Sequence, residues 1–255
     1  TSYEPETQVS DRKIGEITQV KKPNSLSPRL ETKLAKRGTI NPFRAWHLND
    51  GTSGYGLYWS GNVAPSQQAI VLNEVYWNYT YTSRPVPGID PYVTKRNWNH
   101  DTEYGKTFAN KIIDTDFQNF IVEVVLAKLK LTKSDGVMLD WWHDYHESSS
   151  GYSKSQVRTS RRLIAQKLRN RLGPNKIILT NPNWQKDKST VKYINGVFLE
   201  LFKSSTNRVY NSRELVEIEK ILEFYESNLA APKLIALNGW RKTAKSFKEV
   251  GYNYR

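Results

Sequence analysis

The stretch DGVMLDWWHDYHE, residues 135–147, places four acids, two histidines and two adjacent tryptophans behind a short apolar run. A second phrase, NGVFLELF at residues 195–202, repeats its form, with Asp140 in the first and Glu200 in the second each following a GV-apolar run. Two carboxyl groups held at matched ends of neighbouring elements have a specific use. One can protonate a leaving oxygen while the other attacks or stabilises an oxocarbenium-like centre, provided their environments keep one protonated and the other ionised. Asp140 and Glu200 are therefore the candidate catalytic pair. The flat indoles of Trp141, Trp142, Trp184 and Trp240 follow ends of the same kind and suit the C–H face of a sugar ring. Asp114, Asn181 and Asn238 stand at further element ends, where they would hydrogen-bond sugar hydroxyls.

Each of these residues also has a plain alternative. An acid at a strand end commonly caps the next helix or pairs with a cation, and one of two tandem tryptophans is expected in the core. His143, Asp144, His146 and Glu147 are oxygen and nitrogen donors at close spacing. They match no metal-binding motif, so no metal is expected and a solvated loop is the simpler reading. The chain has no cysteine, which removes disulfides and thiolate chemistry. No cofactor is expected.

What must position the pair is a set of short apolar runs, at residues 44–48, 69–73, 111–114, 136–140, 177–181, 196–200 and 234–238. Near-continuous apolar strands, each ending in a polar residue, fit a parallel sheet covered by helices. Between them the period becomes helical. Asp116 is expected to cap a helix carrying Phe117, Phe120, Ile121, Val124 and Val125 inward. A second helix carries Val157, Ile164, Leu168 and Leu172 and stops at Gly173-Pro174. Asn211 and Glu214 form a capping pair ahead of Leu215, Ile218, Leu222, Tyr225 and Leu229. Repeated strand–helix units with no glycine-rich phosphate fingerprint favour a TIM-barrel-like (β/α)8 fold over a dinucleotide-binding sheet. In such a barrel, polar residues at strand C-termini share one mouth: Asn73, Glu74, Asp114, Asp140, Asn181, Glu200 and Asn238. Seven strands are recognisable, so the barrel is incomplete or irregular at its last strand. Residues 75–110 read as long mouth loops.

At 255 residues the chain has room for one large α/β domain. The expected division is an extended N-terminal arm or linker over residues 1–42 and a barrel over residues 43–255. The start at Thr1, without a signal-peptide pattern, fits a processed or trimmed chain. No run is long and apolar enough to span a membrane. The formal net charge is +13, and residues 151–176 hold eight Lys or Arg and no Asp or Glu. The helix at 154–171 is thus expected to show a solvated basic face, exposing Arg158, Arg162 and Arg169. Its sharper use, with the arm, is to bind a polyanion or a protein partner.

DGVMLDWW, followed by NGVFLEL and LIALNGW, resembles TIM-barrel glycoside hydrolases of the endo-polygalactosaminidase-like and α-galactosidase-like kind. The resemblance spans residues 111–240 and, faintly, 43–74. It implies a catalytic aspartate at the end of the D-G-V-M-L-D strand, Asp140, with Glu200 as acid/base and carbohydrate as the partner. A barrel of this kind that lost its activity would instead serve as a glycan-binding or structural surface component, since fold alone does not fix function.

Overall fold

The computed structural model describes residues 44–46, 55–60, 70–83, 85–98, 105–144, 150–202 and 210–237. The proposed arm lies outside the described residues. Seven strands form one parallel sheet: β1 (Arg44–Trp46), β2 (Tyr55–Ser60), β3 (Ile70–Val75), β7 (Gly136–Leu139), β8 (Ile177–Thr180), β9 (Gly196–Leu199) and β10 (Leu234–Leu237). Their order across the sheet is their order along the chain. A doubly wound sheet reverses direction at a switch point. This one never reverses, which is the progression of a (β/α) barrel, and it curls into a half-barrel. Among the described residues the ladder runs from β1 to β10 without closing.

Alternation along the strands divides the core into two layers. Leu57, Trp59, Ile70, Leu72, Met138, Ile177, Leu179, Phe198, Leu234 and Ala236 form the inner cluster, on the concave side of the sheet. Val75, Val137, Leu139, Ile178, Val197 and Leu199 face outward, into a cluster shared with helices α1 (Thr115–Thr132), α2 (Lys154–Leu172) and α3 (Ser212–Asn228). Period two thus assigns every second residue of each strand to the lumen.

The repeated phrases have a structural first half. The carboxylate of Asp135 accepts the Val71 N–H of β3 at 2.9 Å, and the Asn195 amide oxygen accepts the Ile178 N–H of β8 at 3.1 Å. The glycines that follow let the strands approach. A Cβ at Gly136 would stand 2.0 Å from the Ile177 carbonyl oxygen, and one at Gly196 would stand 2.7 Å from that of Leu234. D-G-V and N-G-V therefore fasten each strand's entry to its neighbour.

The helices α1, α2 and α3 cover the outer face as the periodicity predicts, with differences in detail. Asp114, not Asp116, caps α1, its side chain accepting the Asp116 N–H at 2.8 Å. Phe117, Ile121 and Val125 are buried, Phe120 and Val124 only half-buried. Ser153 with Gln156 and Asn211 with Glu214 form capping boxes on α2 and α3. Leu215 is half exposed, and Ile221 takes the inward place beside Ile218 and Tyr225.

Two sequence expectations are corrected. Residues 111–114 are a turn and a helix cap, with Ile112 buried and Ile113 facing out, and the seventh strand of the sheet is instead β2. Residues 75–110 are not simple mouth loops. They hold a three-stranded antiparallel sheet, with β6 (Thr107–Asn110) between β4 (Tyr79–Tyr81) and β5 (Val93–Asn97). It is inserted at the C-terminal end of β3, so it stands at the mouth.

The basic helix is not a solvated face throughout. Arg161 is fully buried, and its guanidinium donates to the Trp142 carbonyl at 2.7 Å with Asp187 3.7 Å away. Arg169 is half-buried and donates to the carbonyls of Tyr193 (2.9 Å), Gly173 (2.6 Å) and Lys176 (3.0 Å), and to Asn195 Oδ1. Arg158 is largely exposed, as expected, though paired with buried Asp144 at 2.6 Å, and Arg162 is half-buried. The acceptors that draw these guanidinium groups inward are backbone carbonyls and a side-chain oxygen, most of them on other segments, which a helical period does not reveal.

Candidate active site

The inner-face alternation continues past the strands into a polar layer. Ile70 and Leu72 lead to Glu74, Met138 leads to Asp140, Ile177 and Leu179 lead to Asn181, and Phe198 leads to Glu200. The four polar residues sit on neighbouring strands in the order β3, β7, β8, β9. The three acids keep part of their surface, whereas the apolar residues beneath them are buried. The layer is the floor of the mouth.

Asn181 joins the pair. Its Nδ2 donates to Asp140 Oδ1 at 2.9 Å and to Glu200 Oε2 at 3.0 Å. One amide nitrogen has only two hydrogens, diverging at about 120°, and ideal bonds to both acceptors would put the two oxygens roughly 5 Å apart. Asn181 Oδ1 in turn accepts the Asn183 N–H at 3.0 Å, which fixes the amide's orientation.

The turn after Asp140 is held at every peptide. Trp141 has φ +53°, a left-handed conformation costing a side-chain-bearing residue about 1 kcal/mol. The Trp77 indole donates to the Asp140 carbonyl at 3.1 Å, and the His143 N–H donates to the Trp141 carbonyl at 2.9 Å. The Trp142 N–H donates to the Asn181 carbonyl at 2.8 Å, and Arg161 holds the Trp142 carbonyl. Leu201, after Glu200, is left-handed too, at φ +52°. Each acid thus ends its strand immediately before a sharp turn.

Burial and crowding of like charge raise the acids. Asp140 is pushed up to about 7, first by burial and then by the charge of Glu200, against the opposing donors Asn181 and Trp141 N–H. Glu74 is pushed up to about 8 by burial and by Asp140; its hydrogen bond with Tyr76 and the charge of Lys128 oppose the rise. Glu200 is raised by burial and held back by Asn181. The layer therefore retains protons near neutral pH, shared as coupled groups share them.

The other sequence candidates fall in several places. Trp141 stays half-buried at the mouth, its ring 6.1 Å from that of Tyr79 on the inserted sheet. Trp184 is half-buried on the loop after β8 and donates to the Phe202 carbonyl at 3.0 Å. Trp142 is core: fully buried, packed 4.8 Å from Trp77 and bonded to Thr190 Oγ1 at 3.2 Å, it has no face to offer a sugar. Asp114 is spent on the cap of α1. Asn238 and Trp240 lie outside the described residues, as do His146 and Glu147. His143 and Asp144 are buried rather than solvated, and among the described residues no three His, Asp or Glu groups converge on a metal-sized site. Glu74 was legible as a rim residue but not as a partner of Asp140. The signal was the phase of alternation, Ile70-Leu72-Glu74, which also turns Asn73 outward onto Thr132 and Ser134.

A family model described as hypothetical glycosyl hydrolase family 15 matches residues 75–254. The chain belongs to that family. The match begins at the last residue of β3, so it takes in Asp140, Asn181 and Glu200. Among solved structures, this family member is similar to a variant of the glycoside hydrolase domain of PelA from Pseudomonas aeruginosa, with TM-score 0.51 and 10% identity over 72% of this chain and 79% of that one. It is also similar to the chitinase domain of the spore coat protein CotE from Clostridium difficile, with TM-score 0.48 and 12% identity over 87% and 74% of the two chains. A third similar structure is Ega3 from Aspergillus fumigatus, in complex with galactosamine, with TM-score 0.47 and 11% identity over 79% and 92%. No curated protein matches the chain. The family and the PelA domain agree with the barrel-type glycoside hydrolase fold read from the strand order.

Proposed function

We propose that this family member hydrolyses O-glycosidic bonds with retention, using Asp140 as nucleophile and Glu200 as acid/base. The observation that supports this is the shared donor: Asn181 Nδ2 bonds one oxygen of each carboxyl, and ideal amide geometry would put those oxygens roughly 5 Å apart. Retaining enzymes space their carboxyl groups at about 5 to 5.5 Å, and inverting ones need about 6.5 to 9.5 Å to admit a water.

The roles follow the resemblance, which puts the nucleophile at the end of the D-G-V-M-L-D strand. Asp140 accepts the Asn181 amide, and the Trp141 N–H also favours its ionised form. Glu200 accepts Asn181 as well, and burial raises both acids, so one proton is shared by the pair near neutral pH. In the first step Asp140 attacks the anomeric carbon as the bond to the leaving oxygen breaks and Glu200 delivers its proton there. In the second, Glu200 takes a proton from water, the water oxygen bonds to the anomeric carbon and Asp140 is released. Trp141 offers a stacking face beside the nucleophile. Carbohydrate is the partner this site fits.

A glycan library assayed for new reducing ends tests the reading, with wild type, Asp140→Asn and Glu200→Gln in parallel. Asp140→Asn should abolish turnover while binding persists. Glu200→Gln should lose most on poor leaving groups and least on activated aryl glycosides. NMR of the first anomer released should show retention. Hydrolysis surviving in Asp140→Asn sinks the mechanism. Binding without any hydrolysis by wild type would instead favour a glycan-binding or structural component.

A further inference from the structure

We propose that Glu74 is a third working carboxyl of this site: it positions the sugar over Asp140 through that sugar's hydroxyl or ammonium donors, and it bars sugars that carry a carboxylate. This rests on the catalytic reading above and adds a substrate class to it.

The placement comes from the sheet. Glu74 is opposite Met138 in the β3–β7 ladder, and Asp140 lies two residues beyond Met138 on the same face. The two acids are diagonal neighbours. In the strand order Glu74 lies beyond Asp140 from Glu200, so it flanks the nucleophile on the side away from the acid/base. A sugar seated over Asp140 would present ring substituents to it. Ile70 and Leu72, the preceding inner residues of β3, are fully buried, whereas Glu74 keeps surface at the mouth.

The groups that face Glu74 are Tyr76 from just past its own strand, Asp140 from the end of β7, Glu200 from the end of β9 and Lys128 from α1. Tyr76 hydrogen-bonds the carboxyl. Lys128 is the cation of this set, and its Nζ donates to the Glu74 backbone carbonyl at 3.4 Å rather than forming an ion pair with the carboxyl. A purely structural acid would have a cation or several donors, because a desolvated carboxyl without them costs stability. Glu74 is instead half-buried at the mouth, where a substrate donor reaching its carboxyl would complete its bonding. Its raised titration agrees with this, since a bound ammonium or hydroxyl cluster would supply what the free site lacks.

The local charge opposes the global one. A chain of net charge +13 invites the expectation of an acidic polysaccharide. Yet three carboxyls line the floor, and among the described residues the inner layer offers no Arg or Lys to a uronate or sulfate. Bringing a substrate carboxylate against an ionised Asp140, in a partly desolvated mouth with no cation beside it among the described residues, is unfavourable, and each further acid that ionises adds to the repulsion.

The test is hydrolysis of galactan and β-glucan as neutral polymers, chitosan as a polycation and polygalacturonate as a polyanion. Wild type, Glu74→Gln and Glu74→Asp are compared across about pH 5 to 9. Wild type should cleave at least one neutral or amino polymer and no polygalacturonate. Glu74→Gln should lose about tenfold or more in kcat/KM there and lose one ionisation from the pH profile, with Glu74→Asp intermediate. A merely structural role would leave the profile's shape unchanged. Cleavage of polygalacturonate by wild type overturns the proposal, as does Glu74→Gln within about twofold of wild type at every pH. If Glu74→Gln does not fold, Glu74→Asp decides the same question, since it keeps the charge but withdraws it by one methylene. Wild type inactive on every polymer overturns the catalytic reading and Glu74's role with it; active wild type with unaffected Glu74 variants overturns Glu74's role alone.

Discussion

Asp140 Oδ1 accepts a hydrogen bond from Asn181 Nδ2 at 2.9 Å, across two neighbouring strand ends. The same nitrogen serves Glu200, so Asn181 links the two acids whatever it offers a sugar. It sets the separation of the pair and lowers the titration of both acids against their burial.

Asn181→Ala should therefore act through its neighbours. Loss of the donor lets the Asp140 and Glu200 pKa values rise further, so the nucleophile ionises only at higher pH. The acid limb of kcat/KM against pH should move upward, and kcat should fall about 10²-fold, the scale of losing one positioned donor. A profile unmoved in position, with only KM changed, would return Asn181 to the role of a sugar ligand.

The raised carboxyls make a stability prediction with a definite sign. An acid whose folded-state pKa lies above its unfolded value holds a proton that the unfolded chain has released. Stability then falls as pH rises from the ordinary carboxylate range, about 4, to the raised values of Asp140 and Glu74, near 7 and 8. Asp140→Asn removes one such group. It should raise Tm at about pH 7.5 and leave it nearly unchanged at about pH 4, where both forms are neutral in the folded state. Thermal unfolding of wild type and variant at the two pH values measures the difference directly. An equal effect at both would mean that Asp140 is not the group destabilised.

The tandem tryptophans should separate cleanly. Trp142 is fully buried and bonded to Thr190, so Trp142→Ala should cost about 3 to 5 kcal/mol in urea unfolding. Trp141 is half-buried, and alanine there keeps the same left-handed backbone cost, so stability should change by less than about 1.5 kcal/mol. Its loss should appear as weaker glycan binding. Comparable destabilisation by both would place Trp141 in the core.

How much of this was legible in sequence depended on the strength of local pattern. The strands β3, β7, β8, β9 and β10 are short apolar runs with polar ends, and they were readable because both faces are covered. β2, YGLYWS, escaped because its tyrosines, glycine and serine dilute the run, although Leu57 and Trp59 alternate inward. The pair Ile112 and Ile113 imitated a strand, yet only Ile112 is buried and Asp114 is a cap. The inserted sheet has strands too short for period two to show. Asp140 and Glu200 stood out because their phrases repeat. Glu74 did not, because alternation assigns Asn73 or Glu74 to the lumen only once the strand's phase is known. The family resemblance supplied the roles of the pair. Burial of Arg161 and Arg169 was hidden, since their acceptors arrive from other loops.

Arg169 shows what the basic helix does in the fold. Its guanidinium ties three carbonyls and the Asn195 side chain, and the same Asn195 oxygen accepts the Ile178 N–H of β8. Removing the guanidinium leaves several partly buried acceptors without a partner, each costing about 1 to 3 kcal/mol where water does not reach it. Arg169→Ala should lower stability by about 2 to 4 kcal/mol in urea unfolding. Heparin binding separates this bolt from a polyanion-binding role. If α2 uses its arginines on a polyanion, Arg169→Ala should lower heparin affinity and reduce its salt dependence by about one ion. The packing found for Arg169 gives the opposite expectation: a clear loss of stability, with heparin affinity and its salt slope unchanged under conditions where the variant is folded.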